Sequence, residues 1–416
     1  MVETPLPLNH TYRPKKDYLM SIIPALKDTQ SEIATWRREM HKNPETAFEE
    51  FWTSDYISSK LTEWDVPHER GWAETGIVAT LHGTKGAADD KEKTIILRAD
   101  MDALDIVEET GLDYASQNHG KMHGCGHDGH SAMLMAAVQY LSCNTDCFDG
   151  TVHFIFQPAE EGEGGARVMV EEGFFDKFPC KAIFGMHNWP ALPKGSMAIC
   201  SGAMTAASDR FTIKMTGKGG HAAMPHQNID VVTAASSLAL SLQTLVSRAA
   251  NPIQGAVLSI TRLQTEGSES LNVMPEHVNL GGTVRTFGAE TRDMIEKRIA
   301  EMSEHTAKAY HCTMTTEYAR GYPSVVNTVK ETDLAVEAAI KTVGAENTNA
   351  KMLPVMAGED FAFFLEKCPG AYIALGQGDD DKCAPLHSPH YDFNDDVAPI
   401  GASYWIHLVQ TALPAS

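Results

Sequence analysis

DRFTIKMTG (209–217) alternates charged or polar residues with apolar ones, as a half-exposed strand does, and it opens the segment that decides the fold. A helix-patterned run, VVTAASSLALSLQTLVSRA (231–249), follows it, and then come two strand-like runs, AVLSITRLQ (256–264) and HVNLGGTVRTF (277–287). A second long helix is predicted over residues 290–310, and HCTMTTEYA (311–319) closes the series as a strand. The order β-α-β-β-α-β is that of a ferredoxin-like α+β unit.

Outward from this unit the pattern is different. Residues 29–42 and 53–64 carry helical periodicity, GIVATLHG (76–83) and TIILRAD (94–100) read as strands, and SAMLMAAVQYL (131–141) is an apolar helix. Such alternation predicts an α/β layer with a largely parallel sheet. No α/β sheet is completed before residue 205, so the ferredoxin-like unit is expected to be an insertion. Residues 205–320 then form the inserted domain, and residues 1–204 with 321–416 form one discontinuous α/β domain. A chain of 416 residues is long enough for two cores.

Composition narrows the function. With 34 Lys plus Arg against 55 Asp plus Glu, the formal charge is -21, a poor match for a phosphate backbone, and nucleic acid is not an expected partner. No run approaches the roughly 20 apolar residues of a membrane span, and the opening MVETPLPLNHTYRPKK lacks the apolar centre of a signal peptide. A cytoplasmic protein is expected. Eight cysteines in a chain this long do not suggest a disulfide framework. GTKGAADDKEK (83–93) reads as a charged surface loop between two strands.

The chemistry gathers where strands end. VHFIFQPAEEGEGG (152–165) runs from a buried-strand pattern into a Gly-rich loop carrying Glu160 and Glu161. MHGCGHDGH (122–130) holds Cys125 and His127, and single histidines follow two later strands, His187 in GMHNWP and His387 in PLHSP. Zinc and its neighbours take Cys, His and carboxylate ligands. Cys125, His127, Glu161, His187 and His387 are more than one tetrahedral ion with an open position needs, so two ions sharing a bridging thiolate or carboxylate are the better count.

Side chains alternate along a strand, so Glu160 and Glu161 can both reach one site only from an irregular loop. The residues alone allow either to be the ligand and the other the base. A rival chemistry makes Cys125 a nucleophile with His127 or His130 as its base; it gives no role to the carboxylate pair or the later histidines. Taken singly, a His at a strand end is more often a surface residue, and Glu163, Glu171 and Glu172 read as a solvated acidic face. Cys143 and Cys147 read as structural. A non-catalytic protein that binds a metal or small ligand is the alternative of a different class.

Other motifs complete an ordered set: WRREMHKNPETAFEE (36–50), LRADMDALDIVEETGLDYAS (97–116), GKGGHAAMPH (217–226), NVMPEHVNLGGTVRTF (272–287), AGEDFAFF (357–364) and LHSPHYDFND (386–395). Together they resemble the M20 metallopeptidases, in particular the M20D amidohydrolases that include hippurate hydrolases, N-acyl-amino-acid hydrolases and plant auxin-conjugate hydrolases. The resemblance covers almost the whole chain. It implies a zinc-peptidase-like catalytic domain with an inserted lid that dimerises, giving a homodimer or higher homo-oligomer.

By the same resemblance Cys125, His127, Glu161, His187 and His387 hold two divalent ions, Zn²⁺ or Mn²⁺ with Co²⁺ or Ni²⁺ as alternatives, and Glu160 is the general base. The implied reaction is hydrolysis of the amide bond of N-acyl amino acids or related small amide conjugates, with a dipeptidase or carboxypeptidase of the same superfamily as the runner-up. His221 matches a lid residue that reaches the partner subunit's active site, and Asn272 and Arg285 match residues that contact the substrate's polar end. The chain departs from the wider family at Arg98, where relatives carry a metal-binding His. Arg98 is therefore not expected to be a ligand, and the role of Asp100 stays open.

Overall fold

The computed structural model describes residues 21–84, 90–267, 269–378 and 383–415. Residues 1–16, read above for a targeting signal, and residues 85–89 of the charged loop lie outside them. Among the described residues no helix is long and apolar enough to cross a membrane. The chain divides into two compact units: the first is Met1–Ile199, Thr328–Met352 and Lys367–Ser416, and the second is Cys200–Asn327 with Leu353–Glu366. The segment 353–366 thus groups with the second unit, although the sequence reading left everything after residue 320 to the first.

After a short helical segment at Pro24–Asp28, the first unit has helices α1 (Gln30–Lys42) and α2 (Phe51–Glu63) and strands β1 (His68–Trp72), β2 (Gly76–His82) and β3 (Thr94–Asp100). Helix α3 (His127–Cys143), β4 (Thr151–Gln157), β5 (Ala182–Pro193) and β6 (Met197–Ala198) follow. The second unit supplies β7 (Ala207–Thr216), α4 (Val231–Thr244), β8 (Ala256–Glu266), β9 (His277–Thr286), α5 (Ala289–Ala309) and β10 (Thr313–Arg320). The first unit then resumes with α6 (Val329–Val343), β11 (Thr348–Asn349), β12 (Gly370–Gly378) and α7 (Ala398–Ala412).

The sheet of the first unit runs β1-β2-β4-β3-β5-β12-β6-β11. Its centre is parallel, β4 with β3, β3 with β5, and β5 with β12. All seven residues of β3 and all seven of β4 are buried, which explains their unbroken apolar pattern: helices cover both faces of such strands. Helix α3 is apolar all round for the same reason, with Met133, Leu134, Met135, Val138 and Leu141 fully buried in the core. Its first turn is therefore fixed against the sheet.

The second unit is a four-stranded antiparallel sheet in the order β8-β9-β7-β10. Strand β7 alternates buried and exposed residues, as DRFTIKMTG predicts, and Phe211, Ile213 and Met215 meet Leu238 and Leu242 of α4 and Ile295 and Ile299 of α5 in one core. The element order is β-α-β-β-α-β.

Candidate metal centre

Four segments of the first unit bring their side chains to one place. Sequence explains how each arrives. In the CGH triplet Gly126 adopts φ 94°, and a Cβ there would stand 2.5 Å from Tyr391 Oη and 2.6 Å from Asn188 Oδ1, so only glycine turns the chain between Cys125 and the start of α3. His127 is the first residue of that buried helix. His187 sits on β5, paired in register with Ala374 of β12. At the end of β4, Pro158 and Ala159 break the strand, Ala159 with φ 57°, and Glu160 and Glu161 lie in the turn that follows. His387 comes from a loop before α7 and also has a positive φ, 65°.

Ligating atoms of Cys125, His127 and His187 lie within 4.8 Å of one another, as do those of Cys125, Glu161 and His387, and those of His127, Glu160 and Glu161. The Cys125 Sγ to His187 Nε2 distance is 3.4 Å, and His387 Nε2 stands 3.2 Å from Glu161 Oε1. Ligands of one tetrahedral zinc, each about 2.0–2.3 Å from it, stand roughly 3.3–3.8 Å apart. Cys125, His127 and Glu161 are each common to two of these trios. Both glutamates reach the cluster because the turn at Ala159 cancels the alternation of an extended segment.

The hydrogen bonds orient these groups outward to a cation. His127 Nδ1–H donates to the Asp102 carboxylate (3.0 Å) and to its carbonyl (3.0 Å), which turns Nε2 towards the cluster; that atom is buried without a hydrogen-bond partner. His187 Nδ1–H donates to the Asn188 carbonyl at 2.7 Å, so its Nε2 lone pair faces Cys125. Glu161 Oε1 is a second buried atom without a well-aligned hydrogen bond, its near neighbour being the His387 ring. Buried polar atoms left this way are costly, and a metal ion satisfies a nitrogen, a carboxylate and a sulfur together.

Electrostatics agree. Burial, together with the Glu161 and Glu160 carboxylates, pushes the Cys125 thiol well above its ordinary range. That disfavours a free thiolate nucleophile, whereas a cation among the same carboxylates reverses the balance. Burial and the neighbouring His130 hold His187 well below its usual value, hence neutral. Burial would lower His127, but Asp100, Asp102 and Glu161 outweigh it and raise the ring to about 10. Three acids around one imidazole are an excess of negative charge that a cation would offset.

Arg98 is fully buried and donates to Gln157 Oε1 and Asp100 Oδ2, both at 2.7 Å, so its guanidinium has the partners of a structural ion pair. Asp100 also accepts from His130. Asp102 was not singled out from the sequence, yet its second oxygen accepts the Glu161 N–H at 2.8 Å while the first holds His127. Its signal was faint: it stands two residues beyond Asp100 in LRADMDAL, at a strand end. His41 and Asp128 form a buried pair at 2.8 Å beneath the same helix start.

The remaining candidates belong to the second unit. His221 is exposed on a two-residue strand paired with Val273, and its Nδ1 accepts the Ala223 N–H. Asn272 is exposed and its carbonyl accepts the Ala222 N–H, which ties it to the same hairpin. Arg285 is half-buried on β9 and donates to the Val284 carbonyl.

A model of peptidase family M20/M25/M40 matches residues 96–411. An N-acetyl-L-cysteine deacetylase of Bacillus subtilis (strain 168) is 37% identical over 383 residues, 92% of this chain and 88% of that protein. A hippurate hydrolase of Campylobacter jejuni is 37% identical over 389 residues, 94% of this chain and 98% of its own. Among solved structures, a Bacillus subtilis dinuclear metal binding peptidase of the M20 family superposes with a TM-score of 0.79 at 33% identity, over 94% of this chain and all of that one.

Proposed function

This chain belongs to peptidase family M20/M25/M40 and is a metal-dependent amidohydrolase, and we propose that Glu160 is its general base, beside two divalent ions held by Cys125, His127, Glu161, His187 and His387. The substrates are N-acyl amino acids or related small amide conjugates, in keeping with the deacetylase and hippurate hydrolase relatives. The observation that carries the site is the unpartnered Nε2 of His127, aimed by Asp102 into a cluster of four further donors. Cys125, His127 and Glu161 each belong to two of those trios, and of these the thiolate or the carboxylate would serve as the bridging ligand. Zn²⁺ and Mn²⁺ both suit this mixture of thiolate, imidazole and carboxylate.

When bound, the ions polarise the amide carbonyl and lower the pKa of water to about 7. Glu160 takes the water's proton as it attacks the carbonyl carbon and returns it to the departing nitrogen, releasing a carboxylate and an amine. Only 7% of Glu160 is exposed, so the proton is kept from bulk solvent. Asp102 keeps His127 in the tautomer that leaves Nε2 open, and through the Glu161 N–H it fixes the residue next to the base.

The second unit supports a homodimer. Strand β8 is an edge of its sheet and leaves Val257 and Leu263 exposed at 37% and 52%, while α4 exposes Val232 and Leu240. An uncovered apolar edge strand is a pairing surface. In that dimer His221 serves the partner's site as a donor to the developing oxyanion, and Arg285 with Asn272 holds the substrate carboxylate. The free thiols of all eight cysteines suit a reducing cytoplasm.

The test is a panel of N-acyl amino acids and unblocked dipeptides assayed with protein reconstituted in Zn²⁺ or Mn²⁺. Hydrolysis of the blocked compounds is expected; turnover confined to peptides with a free amine would overturn the substrate class. For the trans role, mixed dimers of Glu160→Gln and His221→Ala subunits are expected to regain activity that neither homodimer has. Verified heterodimers with no recovery would remove His221 from the partner's site.

A further inference from the structure

The motif WRREMHKNPETAFEE has no part in the chemistry above, and its last residue is Glu50. We propose that Glu50 is the positioning residue of the catalytic base, an inference that rests on reading Glu160 as that base. Glu50 is fully buried at the start of α2. One oxygen accepts the Ala159 N–H at 2.9 Å, across 109 residues of sequence, and the other accepts the Thr75 hydroxyl at 2.7 Å.

Ala159 is where the loop needs help. Its φ of 57° lies in the left-handed region, which L side chains disfavour and which persists only where the surroundings determine it. Two bonds to this residue do so: its N–H goes to Glu50 and its carbonyl accepts the Gly165 N–H at 2.9 Å. On the far side of Glu160, the Glu161 N–H goes to Asp102. The base is thus bracketed by two buried carboxylates, each taking the backbone N–H of a neighbouring residue. Asp102 also serves the ligand His127, whereas Glu50 makes no hydrogen bond to a proposed ligand.

This separation predicts a split phenotype. Removing the Glu50 carboxyl frees the Ala159 N–H, lets the backbone leave the left-handed region and swings Glu160, while Asp102 still anchors Glu161. A displacement of 1 Å at a reacting group costs up to about 100-fold in rate. Glu50→Gln keeps an oxygen for the Ala159 N–H and is the conservative control.

Hydrogen exchange across residues 157–165 is measured first, on metal-free wild type, Glu50→Ala and Glu50→Gln. Exchange at Ala159 is expected to quicken at least about 10-fold in Glu50→Ala and to stay near wild type in Glu50→Gln. Reconstituted Glu50→Ala should hold two metal equivalents with KM little changed and kcat down roughly 10- to 100-fold, and Glu50→Gln should recover most of that loss. Unchanged exchange and kcat in Glu50→Ala, metal loss in step with turnover, or a Glu50→Gln variant as poor as Glu50→Ala would each overturn the proposal. If Glu50→Ala does not fold, Glu50→Asp, one methylene short of the Ala159 N–H, must show the same faster exchange and lower kcat; wild-type behaviour there also overturns it. A Glu160→Gln protein that still turns over would defeat the base assignment instead, and the metal-free exchange result reads independently of it.

Discussion

His127 and His387 both face Glu161 in one donor cluster and are held in opposite ways. The first is wholly buried at the start of a helix that is itself buried, with its free nitrogen set by Asp102. The second is on a loop, its side chain 53% exposed, its backbone N–H tied to the Gly124 carbonyl at 2.8 Å and its ring near Glu161. One side of the cluster is therefore preorganised and the other can adjust. For a hydrolase that must admit a substrate and release two products, a rigid face for affinity and a yielding face for exchange is a workable division.

Asp102→Ala should break the rigid side. It removes the carboxylate acceptor of His127, leaving only the backbone carbonyl, and strands the Glu161 N–H, so metal affinity is expected to fall about 10- to 100-fold, with turnover falling alongside. Titration with a competing chelator measures it. His387→Ala acts on the yielding side and should cost less: about 10-fold in the affinity of one ion, with the other still bound and the melting temperature nearly unchanged. Elemental analysis giving equal losses for the two variants would erase the contrast between the faces.

A smaller effect concerns the Glu50 support. Burial, with Asp102 nearby, pushes its carboxyl up to about 7 from an ordinary 4.5. A raised folded-state value means that the native chain holds the proton more tightly than the unfolded one. The stability it contributes is complete below pH 4.5 and is lost as pH rises through 7. Glu50→Gln cannot ionise, so its unfolding free energy should fall less than that of wild type between pH 5 and 8, by about 2–3 kcal/mol. Parallel pH profiles would show that Glu50 titrates normally.

The fold was written in hydrophobic period. Strand β7 alternates because one face meets α4 and α5, and β3 and β4 do not because both faces are covered. The Cys, His and Glu donors were visible because those residue types at strand ends are few. Asp102 and Glu50 were not visible as site residues, since their roles are to accept backbone N–H groups of Glu161 and Ala159, and no spacing announces a bond across 59 or 109 residues. The place of segment 353–366 was missed for a related reason. It pairs through single bridges such as Thr205 with Val355, too short to leave a period.

The central claim is that Glu160 moves the proton while its neighbours hold the metal, and Glu160→Gln reconstituted with Zn²⁺ or Mn²⁺ tests it in one preparation. Two metal equivalents per chain with kcat reduced about 100- to 10,000-fold on an N-acyl amino acid is the predicted result. A fully loaded variant that keeps a large part of the wild-type rate would contradict the account.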